Sequence, residues 1–328
     1  MKRSIILAAV LAGMVLMSVP ICPAADFPTK PVTLIVPTPA GGGRDVQARA
    51  FAPLAQKLLG QPVVVSNKPG ANGIIGLLAL AQSDPDGHTL GVSSPTDIEA
   101  LLWETENGRK PAVNHDDFVY IGIITTSPHL LAVPYNSPWK TLADLIRDAK
   151  AKPGFYSFAS SGVNAGTHLS AEFFMEATGL KFRHVPFEGG GKAVTAIVGG
   201  HVDFGLVVPS SAMQLVRGNK LRILSVQTAK RYPFLPDVPT LGEQGVKGGE
   251  AYGFVGLIAP KKTPEPVLAK LREVTKKVTE DKEFIGVIEK LGDDVNFITG
   301  DEVNRMVVYE TEKRSKLYQR LVKEQAAK

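Results

Sequence analysis

The 328-residue chain is 44 per cent apolar, and its 37 Lys and Arg against 32 Asp and Glu leave a formal charge of +5. Charges of both signs run along its whole length, so no basic tract marks a nucleic-acid footprint, and the mild excess suits an anionic ligand and an ordinary surface equally. One cysteine, Cys22, excludes an intrachain disulfide, and a chain of this length and composition normally divides into two domains.

Lys2 and Arg3 precede an apolar run from Ile5 to Met17, which closes on Ser18-Val19-Pro20-Ile21-Cys22-Pro23-Ala24. This is the pattern of a secretory signal peptide over residues 1–24, with Cys22 and Ala24 as the small residues at the cleavage site. The run is shorter than the roughly 20 apolar residues that span a bilayer. Val19 and Ile21 fit a lipoprotein anchor poorly. Removal of the leader predicts a periplasmic chain with no thiol, hence no thiolate metal site and no cysteine nucleophile.

Val32 to Val36, a β-branched run between prolines, predicts a buried strand of a parallel sheet. From Asp45, apolar residues recur at three and four spacing to Leu59, and Gly60 stops that helix; Pro53 predicts a kink. Val63 to Val65 reads as a strand, Ile74 to Ala81 as a helix, and Thr89 to Val92 as a third strand after Asp84-Pro85-Asp86-Gly87. A second series follows Phe118 to Ile124. Thr141 and Asp144 form a capping box, strands are expected at Tyr156 to Ala159, Phe182 to Val185, Val202 to Val207 and Leu221 to Val226, and helices from Thr167, Lys192 and Pro209. The remainder is helical from Pro264, interrupted by a strand at Val295 to Ile298. This is an α/β chain with helices over mostly parallel sheets. Crossings between two domains are expected near Thr125 to Val133 and near Ser225 to Lys230.

Three loops run from strand ends into helices, where open α/β sheets bind ligands. The first holds Gly41, Gly42, Gly43, Arg44 and Asp45; three glycines let several N–H groups face one point at a helix N-terminus, or make a flexible turn. A P-loop ending and a complete GxGxxG are both missing, which argues against a nucleotide. The second runs from Ser160 to His168, where Ser161, Asn164 and Thr167 can cap the helix, contact a ligand, or both. The third carries Phe187 and Glu188 before Gly189-Gly190-Gly191; Phe187 is either an apolar wall or core. Gly-x-Ser-x-Gly is absent around Ser160 and Ser161, and His88, His115, His129, His168, His184 and His201 show no close metal spacing. Neither catalysis, nor a metal, nor a cofactor is expected.

Pro31 to Asp45, Gly60 to Val65 with Asn67-Lys68-Pro69-Gly70-Ala71, Asp84 to Leu90, Ser160 to His168, Gly199 to Asp203, and Ala229-Lys230-Arg231 through Leu235 to Thr240 occur in an order and spacing that resembles the TctC-type, or Bug-type, extracytoplasmic solute receptors of tripartite tricarboxylate transporters. The resemblance covers essentially the whole mature chain. It implies a type II periplasmic-binding-protein fold, with residues 25–127 and 227–328 in lobe 1, residues 128–226 in lobe 2, two crossing strands, and a ligand cleft between. It implies a monomeric, non-enzymatic protein that hands a small carboxylate to membrane transporter subunits. Carried over by position, Gly41, Gly42 and Gly43 face Ser161, Gly162, Asn164, Ala165 and Thr167 across the cleft, with Ser94 and Thr96 contributing from the Ser93 to Thr96 loop.

The departures bear on the ligand. Arg44 stands where the family has a small or hydroxylated residue and offers a bidentate partner for a second carboxylate, or is a solvated first-turn arginine. Asn164 replaces a usual Gly, and Ala165 a usual Ser or Thr. Val207 stands where amino-acid-binding members carry an Asp. With Phe187 and Val208, Val207 predicts a non-amino di- or tricarboxylate or an aromatic acid. Presentation of the ligand to a sensor kinase is the alternative partner reading, and a serine hydrolase the alternative class.

Overall fold

The computed structural model describes residues 27–41, 43–299 and 301–326. The leader expected over residues 1–24 lies outside the described residues, and so does Gly42. Among the described residues no helix is long and apolar enough to cross a membrane.

Two mixed sheets organise the chain. The first contains β1 (Val32–Val36), β2 (Val63–Asn67), β3 (Thr89–Ser93), β4 (Phe118–Pro128), β10 (Tyr252–Pro260) and β11 (Asp294–Ile298), in the order β11-β4-β10-β3-β1-β2. The second contains β5 (Leu130–Pro134), β6 (Ser157–Ser160), β7 (Arg183–Pro186), β8 (Phe204–Val207) and β9 (Leu221–Val226), in the order β7-β6-β8-β5-β9. Parallel pairing joins β1 to β2 and β3, and β6 to β7 and β8, because helical crossovers return each strand in the same direction. Expectation and structure part at β10. This strand is antiparallel to both β3 and β4, so the first sheet is mixed rather than mostly parallel. Gly253 and Gly256 break its apolar run in the sequence, and only the pairing partners on both sides make it a central strand.

Ten helices cover the sheets among the described residues. Four of them position the site: α1 (Gly43–Leu59), α3 (Pro95–Glu106), α5 (Gly166–Thr178) and α10 (Asp301–Ala326). Helix α1 continues through Pro53 and buries Phe51, Leu54 and Ala55 against the first sheet. The expected cap at Thr141 is present: Asp144 N–H donates to Thr141 Oγ1 at 3.2 Å, and Thr141 N–H donates to Asp144 Oδ2 at 3.0 Å.

Each sheet has a core on both faces, which separates the chain into two lobes. The chain leaves the first sheet at Pro128 and enters the second at Leu130; it leaves the second at Val226. These two connections are hydrogen-bonded side by side, with Gln227 N–H donating to the His129 carbonyl at 2.9 Å. The segment from Tyr232 to Val246, expected with the first lobe, packs on the second instead, through Tyr232, Phe234, Leu235, Leu241 and Val246. The cause is the open edge of β9: Val226 N–H donates to the Pro239 carbonyl and Leu241 N–H to the Val226 carbonyl, covering strand groups that would otherwise stay unpaired.

Helix α10 touches both lobes. Leu317 and Tyr318 pack with Leu169 and Phe173 of α5 and with Trp103 of α3, while Arg320 pairs with Glu172 at 3.2 Å and Ser315 donates to Glu106 at 2.6 Å.

Between the two connections the Gln227 side-chain amide is buried, and neither its oxygen nor its nitrogen has a partner among the described residues. Such a group costs about 1–3 kcal/mol. Gln227→Met is therefore expected to raise the urea unfolding midpoint, by an amount corresponding to about 1 kcal/mol.

Candidate functional site

A cavity of about 250 Å³ lies between the lobes. The first lobe contributes Gly43, Arg44, Gln47, Ser94, Pro95 and Asp293; the second contributes Ser161, Ala165, Gly166, Thr167, Val208 and Ser210. Ser127 of β4, His129 of the first connection, Tyr252 of β10 and Arg314 of α10 close it. Its volume falls just below the usual range for small-molecule pockets, about 300–1,000 Å³.

Helix α5 shapes the second-lobe side of the cavity. Its N-cap is Ala165, which supplies no side-chain cap. The N–H groups of Gly166 and Thr167 have no acceptor among the described residues and open onto the cavity. Fixed partial positive charge therefore points at the same place. Ser161 holds the preceding turn: its N–H donates to Thr167 Oγ1 at 2.9 Å, and the two hydroxyls lie 2.9 Å apart. Asn164 adopts φ 60°, a left-handed conformation that Asn tolerates better than most side chains, so it serves in a glycine-like position. Asn164 and Gly162 shape the turn without lining the cavity.

The glycine loop of the first lobe behaves differently from expectation. Gly41 N–H donates to the Asp45 carboxylate at 2.8 Å, so the loop closes on its own acid instead of on the cavity. Asp45 is buried, and the Arg49 side chain, with Gly41 and Asn67, holds its carboxyl down at about 2. Gly43 lines the cavity and Gly41 does not. Arg44 also lines it, with Nη1 donating to Asp97 Oδ1 at 2.8 Å. Asp97 is buried and accepts the Ser94 N–H at 2.8 Å at the start of α3. Ser94 Oγ, buried in the cavity wall, donates to no acceptor among the described residues. Thr96 lies on the first turn of the same helix.

Phe187 and Val207, expected at the ligand site, do not line this cavity. Val207 is 1 per cent exposed in the second-lobe core, and Phe187 packs on the same cluster. Strand alternation turns Val207 inward and presents Val208 to the cavity. The inference against a ligand amine that rested on Val207 therefore has no support from this position.

Several lining residues had no signal in the sequence. His129 is buried in the first connection; its Nδ1 is hydrogen-bonded to Ser170 Oγ, which itself donates to the Gly166 carbonyl at 2.9 Å. Nδ1 therefore carries the proton and Nε2 is the acceptor. Burial, reinforced by Arg314, pushes the His129 pKa down to about 3, so the ring is neutral. Arg314, 1 per cent exposed, brings a fixed positive charge from a helix more than a hundred residues away in sequence from either ligand loop. Gln47 donates to Asp293 Oδ2 at 2.8 Å and accepts from Thr125 Oγ1 at 2.8 Å. Ser160 Oγ lies 2.7 Å from His184 Nε2, but Ser160 is fully buried and its hydroxyl donates to the Gly162 carbonyl, so no substrate carbonyl reaches it.

The sequence profile described as "Tripartite tricarboxylate transporter family receptor" matches residues 47–323. The chain belongs to that family. The receptor is also similar to a TctC solute-binding protein from Polaromonas, at 28% identity and a TM-score of 0.79 over 90% of this chain and 99% of that one. MatC from Rhodopseudomonas palustris, solved with bound malate, matches at 28% identity and a TM-score of 0.73 over 89% of this chain and 100% of its own. Rpa4515 from R. palustris, solved with adipate, matches at 28% identity and a TM-score of 0.75 over 89% of this chain and 98% of its own. These relationships make the protein a two-lobed solute-binding receptor, not an enzyme.

Arg44→Ala leaves the buried Asp97 carboxylate without that cation and is expected to cost about 3 kcal/mol of stability in the ligand-free protein. In an Asp97→Asn background the same change should cost less than about 1 kcal/mol, a difference that a double-mutant cycle of urea unfolding reads directly.

Proposed function

We propose that the receptor captures a small di- or tricarboxylate in the periplasm, in the cavity between its lobes, and delivers it to the membrane subunits of a tripartite tricarboxylate-type transporter. The observation that carries this reading is the convergence, from both lobes, of unpaired donors on one small space: the Gly166 and Thr167 N–H groups and the Ser94 hydroxyl. Arg44 and Arg314 add positive charge on two further sides, which favours more than one carboxylate. The malate and adipate bound by the two R. palustris relatives support the same class. Export through a leader ending at Ala24 accords with the family and with the sequence pattern.

In this reading the lobes are the described residues of 27–127 with most of the chain after residue 250, and residues 128–226 with the Tyr232 to Val246 segment, hinged at Pro128 to Leu130 and at Val226 to Gln227. The energies suffice. Micromolar binding requires about 8 kcal/mol, and hydrogen bonds to a charged group contribute about 1.5–3 kcal/mol each. Three or four of them reach that figure with modest apolar burial against Pro95 and Val208.

A thermal-shift panel of dicarboxylates, tricarboxylates and aromatic acids tests the reading. At a hundredfold excess over Kd the ligand should stabilise the protein by about 2.7 kcal/mol, and Ser94→Ala should weaken its binding about tenfold or more. Flat melting curves across the whole panel would overturn it.

A further inference from the structure

Asp293 is out of place in a cavity built for an anion. It follows Gly292 at the end of α9 (Lys282–Leu291), where Gly292 takes φ 79° and Asp293 N–H donates to the Ile288 carbonyl, so the backbone holds the side chain in one position. Tyr232 reinforces this from the second lobe by donating to the Gly292 carbonyl. Asp293 as a residue is 8 per cent exposed and forms part of the cavity wall. One oxygen accepts from Gln47, whose amide orientation is fixed because its own oxygen accepts from Thr125. The Ser127 hydroxyl lies alongside.

The charged and titratable groups around it are of known kind. Gln47 and Arg44 face the cavity from α1, Ser127 from β4, His129 from the first connection, Tyr252 from β10 and Arg314 from α10. Asp294 is next in the chain and half-buried, and its negative charge opposes ionisation of Asp293. No basic side chain among the described residues lies within ion-pair distance of Asp293. Burial keeps His129 and Tyr252 neutral.

We propose that Asp293 is a proton-bearing contact of the ligand site: as the anionic ligand enters, this carboxyl takes one proton from solvent and donates it as a hydrogen bond to the ligand. The physical reason is charge. An ionised Asp293 beside a bound carboxylate is a like-charge pair in a desolvated space, whereas the protonated acid is a donor. Burial, the largest influence, already pushes this carboxyl up to about 6 in the free protein, so one neighbouring anion suffices to keep it protonated at neutral pH. The sign follows. A ligand that binds the protonated form binds more weakly as pH rises above the free-state pKa, by up to about tenfold per pH unit. Asp293 thereby selects for capture at mildly acidic pH.

This inference rests on the carboxylate-binding reading, and the experiment separates the two. Malate, adipate, succinate and citrate are titrated calorimetrically into the full mature chain between about pH 6 and about pH 8, with the proton count taken from buffers of different ionisation heat. Wild-type protein is expected to take up close to one proton per ligand near neutral pH, with Kd rising toward the alkaline end by about tenfold per unit. Asp293→Asn, whose amide mimics the protonated acid, should give a flat Kd across the range and no linked proton. Binding without proton uptake and with a flat Kd in the wild type overturns the inference and leaves the carboxylate reading standing. A pH slope that persists in Asp293→Asn also overturns it. Failure of all four acids to bind at any pH takes down the carboxylate reading, and the inference with it. The wild-type proton count decides the matter even if the variant does not fold.

Discussion

The organisation of this receptor depends on a helix that begins without a cap. Helix α5 starts at Gly166 after Ala165, and among the described residues no side chain takes the N–H groups of its first turn. At two other helix starts a side chain does accept from such groups. Thr141 and Asp144 close one helix start, Asp281 closes another, and Asp45 holds the glycine loop before α1. Leaving donors open in a partly desolvated gap is unfavourable unless something else accepts from them. Gly166 and Thr167, which carry these open donors, line the cavity from the second lobe.

The two lobes solve that problem together. Neither sheet alone encloses the space, because the groups that surround it come from opposite banks and from the connections between them. Helix α10 adds a third component: it packs on α3 and α5 at once and sends Arg314 into the same cavity. The walls of this space therefore come from both lobes and from the C-terminal helix. Movement of one lobe relative to the other changes the number of donors around the anion, which is the energetic basis of closure in a two-lobed binding protein.

Cations and acids are balanced inside the cavity. Arg44 is partly neutralised by Asp97, His129 is kept uncharged by burial, and Asp293 adds an acid to the same wall. A site made only of positive charge would bind any small anion. An acid among the donors makes the outcome depend on the ligand's geometry and on the proton, which is a route to discrimination.

Strands β1, β2, β3, β6 and β9, the helix stop at Gly60 and the Thr141 cap were legible in the sequence because each rests on local chemistry: β-branched runs, left-handed glycine and a short-range hydrogen bond. Ser94, Ser161 and Thr167 were legible as hydroxyl-bearing loop residues at strand ends, and all three line the cavity. What the sequence could not determine depends on partners distant along the chain. Central β10 needed strands on both sides, Val207 turned into the core by the phase of strand alternation, and Gly41 was claimed by Asp45. Arg314, His129 and Asp293 carry no motif at all; only packing brings a helix, a connection and a turn to one point, and only burial there sets which of them holds a charge.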